Sequence, residues 1–347
     1  MTSTIPTTRD PFATRRRGVA AVLGTLLVVA ATVSLGMGSV DLAPGEVTRV
    51  LLWRLGVESG AAPGFTADAV VVDIRLPRVL LGAVAGGSLA LAGAALQGLF
   101  RNPLADPHLL GIGPGAALGG VVGTIAGGVT GGVVGGVVGG VMAALVVRRL
   151  GGGGLAEPSR FILAGVAFGA ALSAWLGFLV FAADRTAVPP VDFWLLGGLA
   201  GSTWRLVGST VLAVLAGWVG VFAAARTLDL LSLGESEARH LGLDVDRAVT
   251  AVLVAVGLVT GAATGAVGVV AFVGLLAPHL VRPFTGPAHR PLLVASVLMG
   301  ALLVVVADLV ARTVADPAEI PVGLVTAAVG GPFFLWLLRR RLGGAEA

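Results

Sequence analysis

Apolar runs almost free of charge recur along nearly the whole chain, separated by short segments that hold most of its charge. Runs lie at Gly18 to Met37, Leu76 to Phe100, Leu109 to Ala126, Thr130 to Val147, Phe161 to Phe181 and Leu206 to Ala225. Each reaches the length of about 18 residues at which a helix spans roughly 30 Å of hydrocarbon. Each is apolar on every face, whereas a membrane barrel strand alternates polarity over about ten residues. The pattern predicts an all-α, polytopic transmembrane helical bundle.

The stretch Ala248 to Pro278 is uncharged for about 31 residues, long for one span and tight for two. Pro291 to Val310 and Pro321 to Leu338 complete the set. Parity decides the ambiguous stretch. Arg15 to Arg17 near one end and Arg339 to Arg341 near the other both favour the cytoplasm, which requires an even number of crossings. Splitting the stretch near Gly265 to Gly268 gives ten spans with both termini cytoplasmic. In this topology 16 of the 23 basic residues lie inside. The resulting map is a tail at 1–17, one permease domain at 18–341 with a cytoplasmic loop at 227–247, and a tail at 342–347. Arg15 to Arg17 followed by an apolar run has signal-peptide character, but no small-residue cleavage site precedes a soluble domain, so it reads as an uncleaved first span.

Composition agrees: charged residues are 12% of the chain, against about 25% in soluble domains. The 54 glycines suit close helix packing in a membrane, where small residues let backbones approach. Glycine pairs at Gly127-Gly128, Gly131-Gly132, Gly135-Gly136 and Gly139-Gly140 make one smooth helix face, read as close packing in preference to a sliding or dimer surface. There is no cysteine, and every basic side chain other than histidine is arginine, so no Walker A lysine exists and any ATP must be hydrolysed by a partner. The arginines stand at the ends of apolar runs and not among aromatics, which excludes a nucleic-acid surface. His108, His240, His279 and His289 form no helical ligand pair, so no metal site is expected. His279, beside Pro278 at a helix end, reads as structural. Asp308 is a lone carboxylate near a membrane boundary, and Arg312 four residues on is its expected ion-pair partner.

Several polar flanks are distinctive. Asp73-Ile74-Arg75-Leu76-Pro77-Arg78 opens the second span, and Gln97-Gly98-Leu99-Phe100-Arg101-Asn102-Pro103-Leu104-Ala105-Asp106-Pro107 closes it. Leu233-Gly234-Glu235-Ser236-Glu237-Ala238-Arg239-His240-Leu241-Gly242-Leu243 fills the polar loop, and Gly268 to Arg282, Ala307 to Arg312, Glu319 to Gly323 and Gly330 to Phe334 follow in order. From about Arg75 to Arg341 the chain resembles the FecCD-type permeases of iron-siderophore, haem and cobalamin uptake. The resemblance implies a non-enzymatic permease subunit in the cell membrane that works by alternating access and binds no cofactor itself. It implies as partners a cytoplasmic ABC ATPase dimer, a second permease copy or homologue, an extracytoplasmic solute-binding protein, a ferric siderophore as cargo, and the lipid bilayer.

By the same resemblance, Arg75, Arg78 and Arg312 receive carboxylates of the binding protein, with headgroup anchoring as the alternative. Asn102 and Leu104 narrow the cytoplasmic end of the path, or else form an ordinary helix stop. Ser159 takes the place of a gate-loop residue, and also suits an N-cap of the fifth helix. Leu233, Gly234, Glu235, Ala238, Arg239, Leu241 and Gly242 seat the ATPase. Glu235 and Glu237 early, with Arg239 and His240 late, suit the dipole of a short helix that Gly242 can end. The glycine-dominated stretch Gly127 to Gly154 departs from the family's mixed side chains, so pathway residues are not carried over there. The competing class is an ion-coupled secondary transporter, which predicts titratable or cation-coordinating groups at the bilayer midplane; charge is almost absent there.

Overall fold

The computed structural model describes residues 12–57, 62–152, 158–182, 189 and 191–343. Among them it contains helices and no strand. In order these are α1 (Ala13–Gly36), α2 (Pro44–Arg54), α3 (Phe65–Asp68), a π-helical turn (Ala69–Arg75), α4 (Leu76–Leu99), α5 (Ile112–Leu150), α6 (Pro158–Ala182), α7 (Val191–Leu196), α8 (Trp204–Ala223), α9 (Ala225–Ser232), α10 (Glu235–His240), α11 (Val245–Val267), α12 (Val273–Thr285), α13 (His289–Thr313) and α14 (Val322–Gly343). Seven helices among the described residues are long and apolar enough to cross a membrane.

The long uncharged stretch is broken where sequence placed the break. α11 ends at Val267, Gly268 takes φ +72°, and α12 starts afresh at Val273. Only 13 residues long, α12 is a short helix with Pro278 and Pro283 inside it. α5 is 39 residues long but folds back at Gly127 and Gly128, where the backbone leaves helical geometry. Its arms, 112–126 and 129–150, run antiparallel. The expected starts shift at two places. The helix after the second span begins at Ile112 and not Leu109, since Gly111 holds φ +75°. The second span continues backwards through the π turn to Phe65, so Asp73 and Arg75 lie within helix instead of marking its edge.

Glycine packs the centre. A Cβ on Gly119 would stand 2.2 Å from the carbonyl oxygen of Gly135 on the opposite arm, and one on Gly136 would stand 2.4 Å from that of Gly261 on α11. Two faces of the second arm are thus backbone-to-backbone contacts, where dispersion between main chains replaces the hydrophobic drive absent in lipid. The glycine stripe from Gly131 to Gly140 is internal packing, whereas Gly127 and Gly128, expected on the same helix face, form the fold-back and would have open space around an added Cβ. α4 is buried along nearly its whole length, in contact with α8, α11, α12 and α13. α6, in contrast, leaves Leu163, Trp175, Phe178 and Phe181 exposed.

Candidate docking, pathway and coupling sites

At the N-terminal end of α4 the π turn and α4 aim Arg75 and Arg78 inward, and the last turns of α13 bring Asp308 and Arg312 to meet them. Arg78 Nε donates to both oxygens of Asp308 at 3.0 Å, its Nη2 donates to Oδ1 at 2.9 Å, and its Nη1 donates to Glu319 Oε1 at 2.9 Å. Arg312 lies farther from Asp308, at 3.7 Å. It donates instead to Met37 O at 2.7 Å, Ser34 Oγ at 2.7 Å and Ser34 O. Arg75 donates to Leu35 O at 2.7 Å, Gly36 O at 2.8 Å and Val40 O. Two guanidiniums therefore satisfy the carbonyls left open at the end of α1, a task that otherwise falls to water or caps. Gly38 passes between them, and a Cβ there would sit 2.8 Å from Arg75 Nη2.

Arg75, Arg78 and Arg312 are only 5%, 8% and 8% exposed. The resemblance assigns these three to carboxylates of the binding protein; in the structure they are already bonded within the chain, because a buried guanidinium requires acceptors, and internal carbonyls and carboxylates supply them. An incoming carboxylate reaches these groups only by exchange with those acceptors. The expected Asp308–Arg312 pair is present, but Arg78 is the stronger partner. Beside the cluster opens a cavity of about 450 Å³, lined by Arg78, Glu319, Thr124, Phe193, Trp194 and Leu206 among others.

At the opposite end of α4, Arg101 takes φ +49° and the chain turns sharply. Asn102 N donates to Gln97 O at 3.1 Å, and its Oδ1 accepts from Leu104 N at 3.0 Å. Asn102 thus uses its side chain to hold the Asn-Pro-Leu turn, as asparagines do in such turns. Asn102 and Leu104 are both half-buried. Ser159 is exposed in the first turn of α6, one residue inside a helix that begins at Pro158, so it does not stand at the cap position.

The polar loop folds as two short helices with glycine on each side of α10. Gly234 at φ +129° starts it and Gly242 at φ +86° ends it. Ala238 is fully buried and anchors α10, while Leu233 and Leu241 are 60% and 62% exposed on either side. Arg239 bonds Glu235 one turn back at 2.9 Å and Asp246 of α11 at 3.0 Å, and Asp246 bonds Arg148 of α5 at 2.7 Å. The hydrogen bond that Arg239 donates to Glu235, followed by the one it donates to Asp246, holds its pKa above the ordinary value. The element is a small surface knob tied by a charge network to the glycine-packed helices.

The profile of the FecCD transport family matches residues 26–340. The chain is a member of the FecCD transport family. It is 40% identical to the cobalamin import system permease protein BtuC of Halobacterium salinarum, over 96% of this chain and 90% of that protein. It is 37% identical to the hemin transport system permease protein HmuU of Yersinia pestis, over 92% of this chain and 96% of that one. It is also 37% identical to the Fe(3+) dicitrate transport system permease protein FecD of Escherichia coli, over 78% and 83%. A solved metal-chelate type ABC transporter in an inward-facing conformation matches with a TM-score of 0.78 at 30% identity, covering 93% of this chain and 99% of that one.

In this FecCD family chain, sequence reasoning missed the roles of four polar residues. Glu319 was quoted only as part of a motif, yet it completes the Arg78 cluster. Asp246 and Arg148 carry the Arg239 charge network into α11 and α5. Gln97 accepts from Arg282 at 3.0 Å and donates to Gly274 O at 3.1 Å, bridging α4 to α12. No metal-binding cluster occurs among the described residues.

Proposed function

We propose that the chain is the membrane-spanning subunit of an ATP-driven importer that carries a metal chelate, a ferric siderophore in the first instance, across the cytoplasmic membrane. Ten crossings place both ends and the α9–α10 loop in the cytoplasm. The α5 arms, the α11–α12 break and α14 supply the crossings beyond those set by length alone. Two permease subunits meet through apolar faces such as that of α6, an ATPase dimer sits on Leu233, Leu241 and the α10 knob, and a binding protein delivers cargo at the Arg78 end. ATP closes the ATPases and the α10 charge network passes that motion to α5 and α11, so the path opens to one side at a time. The chain performs no chemistry and binds no cofactor, and ATP acts on the partner.

The observation that carries this reading is the family match over residues 26–340 together with the surface knob formed by the loop. Relatives named for cobalamin, hemin and ferric dicitrate favour a second cargo reading, haem or cobalamin on the same machinery. Proteoliposomes holding the chain with its ATPase and binding protein test it. ATP-dependent uptake of a labelled chelate is expected. Uptake that follows a proton or Na⁺ gradient without ATP would overturn it in favour of a secondary transporter.

A further inference from the structure

At the loop end, between the second arm of α5 and the start of α11, lies a groove of about 830 Å³. Arg148, Arg149 and Arg247 face it against one carboxylate, Asp246. Arg148 is tied to Asp246 and, at 2.6 Å, to Gly152 O, but its Nε is buried without a partner. Arg149 is exposed and has no ion-pair partner among the described residues. Arg247 is 90% exposed, and its contact at 3.1 Å with Asp244 is the kind of surface pair that contributes little. The groove therefore has an excess of fixed positive charge, and the N-terminus of α11 adds its helix dipole.

The groove also continues into an apolar track. Val134, Val138, Met142 and Leu145 are all exposed, and they follow one face of the second α5 arm down to the groove, where Leu145 forms part of the wall. A ligand that satisfies both parts carries an anion at one end and a hydrocarbon chain at the other. We propose that this groove binds the phosphodiester headgroup of an anionic phospholipid in the cytoplasmic leaflet, with an acyl chain along Val138, Met142 and Leu145. Arginine is suited to phosphate through paired N–H donors. Asp246 also holds Arg239, so the site connects the lipid to the coupling network. The assignment rests on the membrane orientation proposed above.

The test uses the assembled transporter in nanodiscs, with bound lipid counted by native mass spectrometry. With phosphatidylglycerol, wild type is expected to retain one more lipid per copy of this chain than the Arg149→Gln/Arg247→Gln double variant, and to prefer it to phosphatidylcholine by about tenfold. The Arg149→Lys/Arg247→Lys variant keeps most of that retention. Equal retention of the two lipids by wild type overturns the proposal without reference to any variant. Displacement by millimolar glycerol 3-phosphate would make the groove a soluble-anion site, and loss of the lipid when the ATPase assembles would make it a protein contact; both overturn the lipid assignment. Because the chain has no cysteine, Arg149→Cys labelling with a membrane-impermeant maleimide reads the orientation separately. Labelling from outside sinks the orientation, whatever the lipid counts show.

Discussion

Arginine does opposite work at the two ends of this molecule. At the Arg78 end, three guanidiniums are buried and bonded to carbonyls and carboxylates of their own chain. At the loop end, Arg239, Arg149 and Arg247 lie at the surface, and the bonds that Arg239 and Arg247 make are to partly exposed carboxylates. A buried ion cluster becomes strongly destabilising when one partner is removed, whereas exposed pairs contribute roughly 0–1 kcal/mol. Charge at one end therefore holds the fold, and charge at the other is available to partners. Substitution should separate the two ends in that order.

The largest effect is expected for Asp308→Ala, which leaves Arg78 and Arg312 buried with one carboxylate fewer. A loss of about 3–5 kcal/mol should appear as early loss of the monodisperse species on heating in detergent. Survival of wild-type thermal behaviour would mean that the cluster is hydrated. Charge reversal at Arg75 or Arg312 belongs with it: a glutamate facing the carbonyls of Leu35 or Ser34 should cost folded protein, so reduced binding-protein association alone would contradict the burial. Gly38→Ala comes next. Its φ of +147° and the 2.8 Å approach to Arg75 Nη2 should loosen the end of α1 by about 1–3 kcal/mol, read by protease access near residue 40.

Smaller still is Glu319→Gln. Its side chain is 45% exposed, and Asp308 still holds Arg78, so a change of at most about 1 kcal/mol is expected in the same heating assay. A collapse like that of Asp308→Ala would show that Glu319 is needed to neutralise the cluster. Arg239→Ala should be nearly silent in stability, within about 0.5 kcal/mol.

The same contrast shows what the sequence could reveal. Helix positions were legible because membrane-length apolar runs leave little ambiguity, and the α11–α12 break followed from charge parity and glycine. The loop knob was legible because acid-early, base-late order with flanking glycines is local information. Asp308 was assigned to Arg312 by the four-residue helical spacing, which is the only pairing a single helix offers. Its closer partner, Arg78, lies 230 positions away on α4. The burial of Arg75 and Arg312 was equally invisible, because it depends on the end of α1 arriving beside them. Residues between Gly127 and Gly154 illustrate a third case. The stripe predicted close approach, but its two partners, the other α5 arm and α11, required the fold. Residues 153–157 lie outside the described residues, and with them the segment just ahead of Ser159.

Coupling of the loop end to a partner ATPase is the proposal on which transport by this permease depends. Its most direct test is ATP-driven chelate uptake by the reconstituted transporter carrying Glu235→Ala and Arg239→Ala together, with the assembled complex quantified alongside. The double variant is expected to fold and to assemble its bundle, yet to lose uptake by about tenfold, because the link from α10 through Asp246 to α5 is cut. Wild-type uptake by a fully assembled double variant would contradict the account.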